Sequence, residues 1–365
     1  MRVLQISSAR EFGGGERHFV DLCRGLQERG HEVFAALRPT NRWQERLDFL
    51  PAENILHVSL RNAFGVLSAQ RIAEFANEKK IEVIHAHAAR DYIPASLACR
   101  IARGAKFVLT RHVLFPMKPF HRFALKNLAK AIAVSGAVEA NLRQIFPQEK
   151  IVLIPNGISV ENWADADSAR LREEFRFFHD IPFDAFLIGT LGELIELKGQ
   201  REFVLAANEI VKKFPDARFL IVGKDNSIKK DFRRELKRLI KVLDLEDRFL
   251  FLDWVENTAQ FFHALDVYVS PSHTESFGLA ILEAMASGRA VVATETEGAR
   301  ELLRDGFSGK LTKIKEPLQL AAAVEEFLRD ENLRASVGAN AQKEARERFG
   351  LEKMLDEVEK VYQSI

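Results

Sequence analysis

The strongest constraint on this chain is an alternation of short apolar runs with amphipathic stretches, carried through twice. In the first round, residues 3–7, 32–37, 55–59, 81–85, 107–110, 131–134 and 151–154 read as strands. Helical periodicity fills residues 16–29, 67–77, 92–102 and 136–145 between them, with Gly30 placed as a left-handed cap and Ser135 as an N-cap. In the second round, residues 186–190, 218–222, 249–252, 267–269 and 290–293 read as strands, with helices starting near Lys198, Lys229, Asn257 and Phe277. Strands alternating with helices pair in parallel, because each crossover returns the chain to the same sheet edge. The polar segment 161–184, with Asn162, Asp165, Asp167 and Pro182, reads as an interdomain linker plus a short helix. Residues 317–365 read as helix with one break at Phe349-Gly350. The expected architecture is α/β: two Rossmann-like doubly wound domains over residues 1–160 and 161–345, facing across a cleft, then a terminal helix over 346–365.

With 365 residues, of which 47% are hydrophobic, the chain is too long for one core and rich enough for two. No apolar run reaches the roughly 18 residues of a membrane span, and MRVLQISSAR has no secretory cleavage pattern, so a cytoplasmic protein is expected. Cys23 and Cys99 lack metal-ligand spacing and read as reduced core thiols. The net charge of +1 conceals +9 in residues 1–160 against −8 in the remainder. A basic first half suits an anionic acceptor or an anionic membrane face. Nucleic acid is not expected, since the basic residues form no recognisable binding module.

Chemistry concentrates in residues 266–303, which read as strand, loop, helix and strand. A right-handed βαβ unit puts that loop at the carboxyl edge of the sheet, where ligands bind. Glu275 lies in the loop and Glu283 about two helical turns on, so one ligand touching both must span roughly 10 Å. The amides of Ser276, Phe277, Gly278 and Leu279 would point at the same ligand, backed by the helix dipole. A nucleotide-sugar has that length.

Other loops carry weaker signals. Gly13, Gly14 and Gly15 open a helix after the first strand and read equally as an anion-facing loop or as a structural turn. They do not spell G-x-G-x-x-G, and no acidic residue ends the second strand, which disfavours a nicotinamide site. His85 and His87 end a strand and read as packed or solvated residues. His112, flanked by Arg111, reads as a group near a phosphate or sugar. Lys118, His121, Arg122, Lys126 and Lys130 lie among Phe115, Phe120 and Phe123, a stretch that reads either as a membrane-docking surface or as a solvated helix face. Lys198 at an expected helix start opposes the dipole, which favours a phosphate-binding role, with Arg201 on the same face. Asp165 and Asp167 form a D-x-D in the linker and read as a helix cap.

Taken together, GGGE, VIHAH, AVSGAVEANL, GTLGELIELKG, LIVGKD, ALDVYVSPSHTESFGLAILEAMASGRAVVAT and DGFSGKL resemble glycosyltransferase family 4, the retaining enzymes of GT-B fold. The spacing of Glu275 and Glu283 is similar to that family's E-x7-E motif. The resemblance implies that the last helix crosses back onto the N-terminal domain. It implies donor-sugar contacts from Glu275 and the amides of Ser276, Phe277, Gly278 and Leu279, ribose contacts from Glu283, and diphosphate binding by Lys198, with Arg201 and Lys224 as further cations. Val255 would lie by the base and His112 by the transferred sugar. Gly14 and Gly15 would lie on the diphosphate side, and Gly13, Arg17, Arg111 and His112 on the acceptor side. No cofactor and no metal are implied. The implied partners are a nucleoside-diphosphate sugar, an anionic glycan or lipid-linked acceptor, and the inner face of the cytoplasmic membrane. One position departs from the family: Glu193 stands where Arg is usual, close to the diphosphate. That departure motivates the alternative of a member that binds nucleotide or glycan without turnover.

Overall fold

The computed structural model describes residues 1–60, 65–163 and 167–365. Two compact units divide the chain, Met1–Gly157 with Leu351–Ile365, and Ile158–Gly350.

The first unit runs β1 (Arg2–Ser7), α1 (Gly14–Glu28), β2 (Glu32–Leu37), β3 (Ile55–His57), α2 (Val66–Glu78), β4 (Val83–Ala86), α3 (Tyr92–Ile101), β5 (Lys106–Arg111), α4 (His121–Ala124), β6 (Leu128–Ala133), α5 (Gly136–Arg143) and β7 (Ile151–Leu153). Its seven strands are all parallel, in the order β3-β2-β1-β4-β5-β6-β7. The order reverses between β1 and β4, so the loops leaving these two strands diverge and open a crevice at their carboxyl ends. Gly30 takes φ +82° after α1, and the Ser135 hydroxyl accepts from the Val138 amide at the start of α5.

The second unit runs α6 (Ser168–Phe178), β8 (Leu187–Leu191), α7 (Gln200–Ile210), β9 (Arg218–Val222), α8 (Asp231–Val242), β10 (Phe249–Leu252), α9 (Thr258–Ala264), β11 (Val267–Ser270), α10 (Leu279–Ala286), β12 (Ala290–Thr294), α11 (Glu297–Leu302), β13 (Lys310–Thr312), α12 (Pro317–Arg329) and α13 (Glu331–Phe349). Six parallel strands lie in the order β10-β9-β8-β11-β12-β13, reversing between β8 and β11. The chain ends with α14 (Leu351–Gln363), which belongs to the first unit. Its Met354, Leu355, Val358, Val361 and Tyr362 enter the core formed by Val3, Phe19, Leu26 and Val83. Gly25 permits that approach, since a Cβ there would lie 2.4 Å from Leu355 Cδ1.

Three local readings differ from the sequence expectation. Residues 310–312 form an edge strand that their short polar sequence concealed. The C-terminal helices break a second time at Asp330, whose carboxylate caps α13 by accepting from the Leu333 amide. The segment read as a linker is part of the second unit's core: Leu171, Phe175 and Arg176 of α6 are buried, and Arg176 donates to Asp266 Oδ2 at 2.9 Å and to the Ala264 and Ala185 carbonyls. Its amphipathic stripe was masked by charged residues that turn out to be anchors. Of the D-x-D pair, Asp165 lies outside the described residues, while Asp167 occupies the N-cap position of α6 and pairs with Arg170 at 3.0 Å. Cys23 is buried, which raises its thiol pKa, and Cys99 donates to the Ala105 carbonyl; both are free thiols.

Candidate functional site

In the second unit the switch point sets the loops after β8 and β11 side by side. The β8 loop ends in a 3-10 turn over Glu196–Lys198, and Gly199 follows at φ +67° before α7 begins at Gln200. A Cβ on Gly199 would lie 1.9 Å from the Pro271 carbonyl oxygen, so the two loops cross there backbone to backbone. The His273 amide donates to the Leu197 carbonyl at 2.9 Å and fixes the crossing. Lys198 Nζ then reaches Glu275 Oε2 at 2.7 Å, with side chains 30% and 17% exposed. Lys198 and Glu275 are 77 residues apart in sequence, and the sheet order alone makes them neighbours. Lys198 therefore sits before the helix and not in it, and Arg201, on α7, instead pairs with Glu235 at 3.4 Å on the exposed surface.

The glutamate loop is held from below and from the side. Helix α10 starts at Leu279, two residues later than the expected Phe277, because Gly278 takes φ +98°. Ser276, Phe277 and Gly278 are therefore loop residues, with Phe277 buried against Phe349 at 5.8 Å between ring centroids. Helix α11 clasps this loop. The Gly298 amide donates to the Glu275 carbonyl at 3.0 Å, and a Cβ on Gly298 would lie 2.5 Å from the Phe277 carbonyl oxygen. Thr294 donates its hydroxyl to the Ser272 carbonyl. Glu283, in the second turn of α10, is 6% exposed. Tyr268 lies on β11 with its phenol pKa raised, first by burial and then by the Glu275 and Glu283 carboxylates. Tyr268, Thr294 and Gly298 were missed by sequence reasoning. Only their place in the elements that flank the glutamate loop, on β11, at the end of β12 and in α11, signalled them.

The neighbouring loops carry the remaining candidates. Glu193 is exposed, and its Oε1 accepts from Asn226 Nδ2 at 2.9 Å. Lys224 is exposed after β9, and Val255 is half-buried after β10.

In the first unit, Gly13 is the N-cap of α1, with Gly14, Gly15 and Arg17 in its first turn. A Cβ on Gly15 would lie 4.0 Å from the His112 ring, so the glycine loop and His112 come together. Arg111 is buried, donates to the Phe115 carbonyl and lies beside the Tyr92 hydroxyl, which makes it a brace for the loop after β5. His85 and His87 are buried and hydrogen-bonded. His85 meets the Tyr362 hydroxyl at 2.6 Å and Thr110 Oγ1 at 2.7 Å; His87 meets Gln5 Oε1 at 2.7 Å. His18, on α1, packs against His112 at 4.8 Å between centroids. Burial pushes the His18 pKa down to about 4 and, with the neighbouring imidazoles, holds those of His87 and His112 well below the usual value. Asp91, also missed in the sequence, is buried after β4, accepts from the Ser8 amide at 2.9 Å, and is pushed up to about 7 by burial. Among the described residues, His18, His87 and His112 are the group whose ligand atoms lie close enough to converge on a metal ion.

Two family models match in tandem: "Glycosyltransferase Family 4" over residues 12–162 and "Glycosyl transferases group 1" over residues 172–344. The chain belongs to glycosyltransferase family 4. This family 4 glycosyltransferase is 28% identical to the lipopolysaccharide core biosynthesis glycosyltransferase LpsE of Rhizobium meliloti over 94% of each chain. It is 28% identical to the phosphatidyl-myo-inositol mannosyltransferase of Mycolicibacterium smegmatis, over 97% of this chain and 90% of that one. The solved structure of Anabaena Alr3699/HepE in complex with UDP-glucose matches with a TM-score of 0.86 at 23% identity over the full length of both chains. The fold is GT-B.

Proposed function

We propose that this glycosyltransferase is a retaining, metal-independent enzyme that transfers a sugar from a nucleoside-diphosphate donor to a cell-surface glycan or lipid-linked acceptor. The observation that carries the reading is the Lys198–Glu275 contact at the β8/β11 switch point. It sets a cation, suited to a diphosphate, against a carboxylate suited to sugar hydroxyls. The amides of Ser276, Phe277, Gly278 and Leu279 add donors, Glu283 takes the ribose, and Val255 lies by the base. His112 lies by the transferred sugar, with Gly14 and Gly15 on the diphosphate side and Gly13, Arg17 and Arg111 on the acceptor side.

In the proposed step, the bond between the sugar anomeric carbon and the β-phosphate oxygen breaks through an oxocarbenium-like state. The acceptor hydroxyl bonds to the same face of that carbon, and its proton passes to the departing phosphate. The diphosphate charge is stabilised by Lys198 and backbone amides, with no divalent ion. Relatives named for lipopolysaccharide core and phosphatidyl-inositol chemistry support an acceptor in envelope glycan synthesis. Exposed Phe115, Phe120 and Phe123 beside exposed Lys118, Arg122 and Lys126 support docking of the first unit at an anionic membrane on its cytoplasmic side. The exposure of Glu193 and its bond to Asn226 weaken the case for a member without turnover, since water screens an exposed carboxylate.

A panel of nucleotide-sugars tests the reading. One donor, with UDP-glucose the first choice, is expected to raise the melting temperature and to release nucleoside diphosphate in the presence of EDTA. NMR of the product is expected to show the donor's anomeric configuration. Donor binding without release would leave a binding protein, and an inverted product would overturn the mechanism.

A further inference from the structure

We infer that His18, His87 and His112 form a binding site for a divalent first-row transition metal, zinc being the natural probe, whose occupation switches the enzyme off. The three residues come from α1, the end of β4 and the end of β5, and the switch point of the first sheet gathers them at one edge. Each offers one ring nitrogen, and these atoms all lie within 4.8 Å of one another. Tetrahedral zinc with bonds of about 2.0–2.1 Å holds its ligand nitrogens roughly 3.3 Å apart, so side-chain rotations of about 1 Å close the site. Three imidazoles suit zinc, copper and nickel over magnesium or calcium.

The hydrogen-bond network prepares one of these ligands. Gln5 Nε2 donates to the Tyr362 hydroxyl at 3.1 Å, and that hydroxyl also meets His85 Nδ1 at 2.6 Å. The Gln5 carbonyl oxygen is thereby aimed at His87 Nε2, 2.7 Å away, and accepts a hydrogen bond from its N–H. His87 Nδ1 is left unprotonated, and it is buried with no hydrogen-bond partner among the described residues. An imidazole whose second nitrogen donates to a carbonyl is the arrangement that orients a metal-ligating histidine and raises its basicity. Both ring nitrogens of His18 are likewise buried with no hydrogen-bond partner among the described residues. No carboxylate belongs to the cluster, and the Arg111 charge acts on His112. Three imidazoles leave a fourth position of a tetrahedral ion for water or an anion.

Chelator-treated full-length protein titrated with cobalt(II) tests the site. The expected result is one equivalent bound, with the visible d–d absorption of a nitrogen-liganded four- or five-coordinate ion, displaced by zinc. His18→Leu and the polar His18→Gln are each expected to lower affinity more than a hundredfold. Gln5→Met keeps all three ligands and is expected to lower it roughly 10–100-fold. His57→Ala, on the exposed surface, is expected to change nothing. Absence of the cobalt spectrum in wild-type protein, or binding unchanged in both folded His18 variants, overturns the inference. Zinc is further expected to inhibit sugar transfer by wild-type enzyme and not by His18→Gln. This last result rests on the placement of His112 beside the transferred sugar. Zinc bound without inhibition would refute the switch-off and that placement, while the cobalt spectrum would still report the site.

Discussion

Glu275→Gln separates the sugar-binding from the phosphate-binding role of the Lys198–Glu275 contact. The 2.7 Å pair is 30% and 17% exposed, between the surface and the buried case. Exposed pairs contribute about 0.2–1 kcal/mol and broken buried ones cost about 3–5 kcal/mol, so a value of roughly 1 kcal/mol is reasonable here. The amide removes the negative charge that competes with phosphate for Lys198. UDP alone is therefore expected to bind roughly fivefold more tightly, about 1 kcal/mol. The same change replaces a charge-assisted hydrogen bond to the sugar with a neutral one, a loss of about 2 kcal/mol where charge develops. A fall in kcat of roughly thirtyfold is expected. Calorimetric titration with UDP and steady-state release of nucleoside diphosphate read the two effects, with thermal melting to establish that the variant folds. Opposite signs in nucleotide affinity and turnover are the signature. If UDP affinity falls in parallel with kcat, Glu275 acts on the nucleotide and the assignment fails.

Glu193→Arg is expected to tighten UDP binding by less than about 1 kcal/mol, because the carboxylate is exposed and screened; a gain above tenfold would show that the position is desolvated in the complex. Asp91 titrates near 3.8 when unfolded and about 7 when folded, so the stability it contributes is complete below 3.8 and lost as pH rises through about 7. The loss is at most roughly 4 kcal/mol, from a difference of about three pH units. Asp91→Asn keeps the acceptor for Ser8 and is expected to be the more stable protein above pH 7, with the gap closing toward pH 4; urea unfolding curves that stay parallel to wild type across this range would contradict the buried, protonated carboxyl. Gly199→Ala meets the Pro271 carbonyl at a positive φ. It is expected to cost about 3 kcal/mol or more and to weaken UDP binding by displacing Lys198. A melting temperature equal to wild type would show that the loops need not cross there.

Much of this protein was legible in its sequence because its information is local. The apolar period and the glycine and serine stops set which segments become strands and helices, and strand–helix alternation leaves little choice but parallel sheets. The Glu275 loop announced itself for the same reason, as a strand end followed by glycine and a helix. What the sequence could not supply was which loops meet. The strand orders, with reversals between β1 and β4 and between β8 and β11, are set by packing whole helices over each sheet. Those orders bring Lys198 to Glu275 and gather His18, His87 and His112 from three elements. Burial was equally hidden. His85 and His87 read as ordinary strand-end residues, yet the return of α14 places Tyr362 against His85 and, by orienting Gln5, fixes the proton of His87. Residues 161–184 read as linker because charge obscured their stripe, and Arg176 became a core residue only once Asp266 and four backbone carbonyls were in reach. Local periodicity determined the elements; long-range packing alone decided which side chains share a site and which of them lose contact with water.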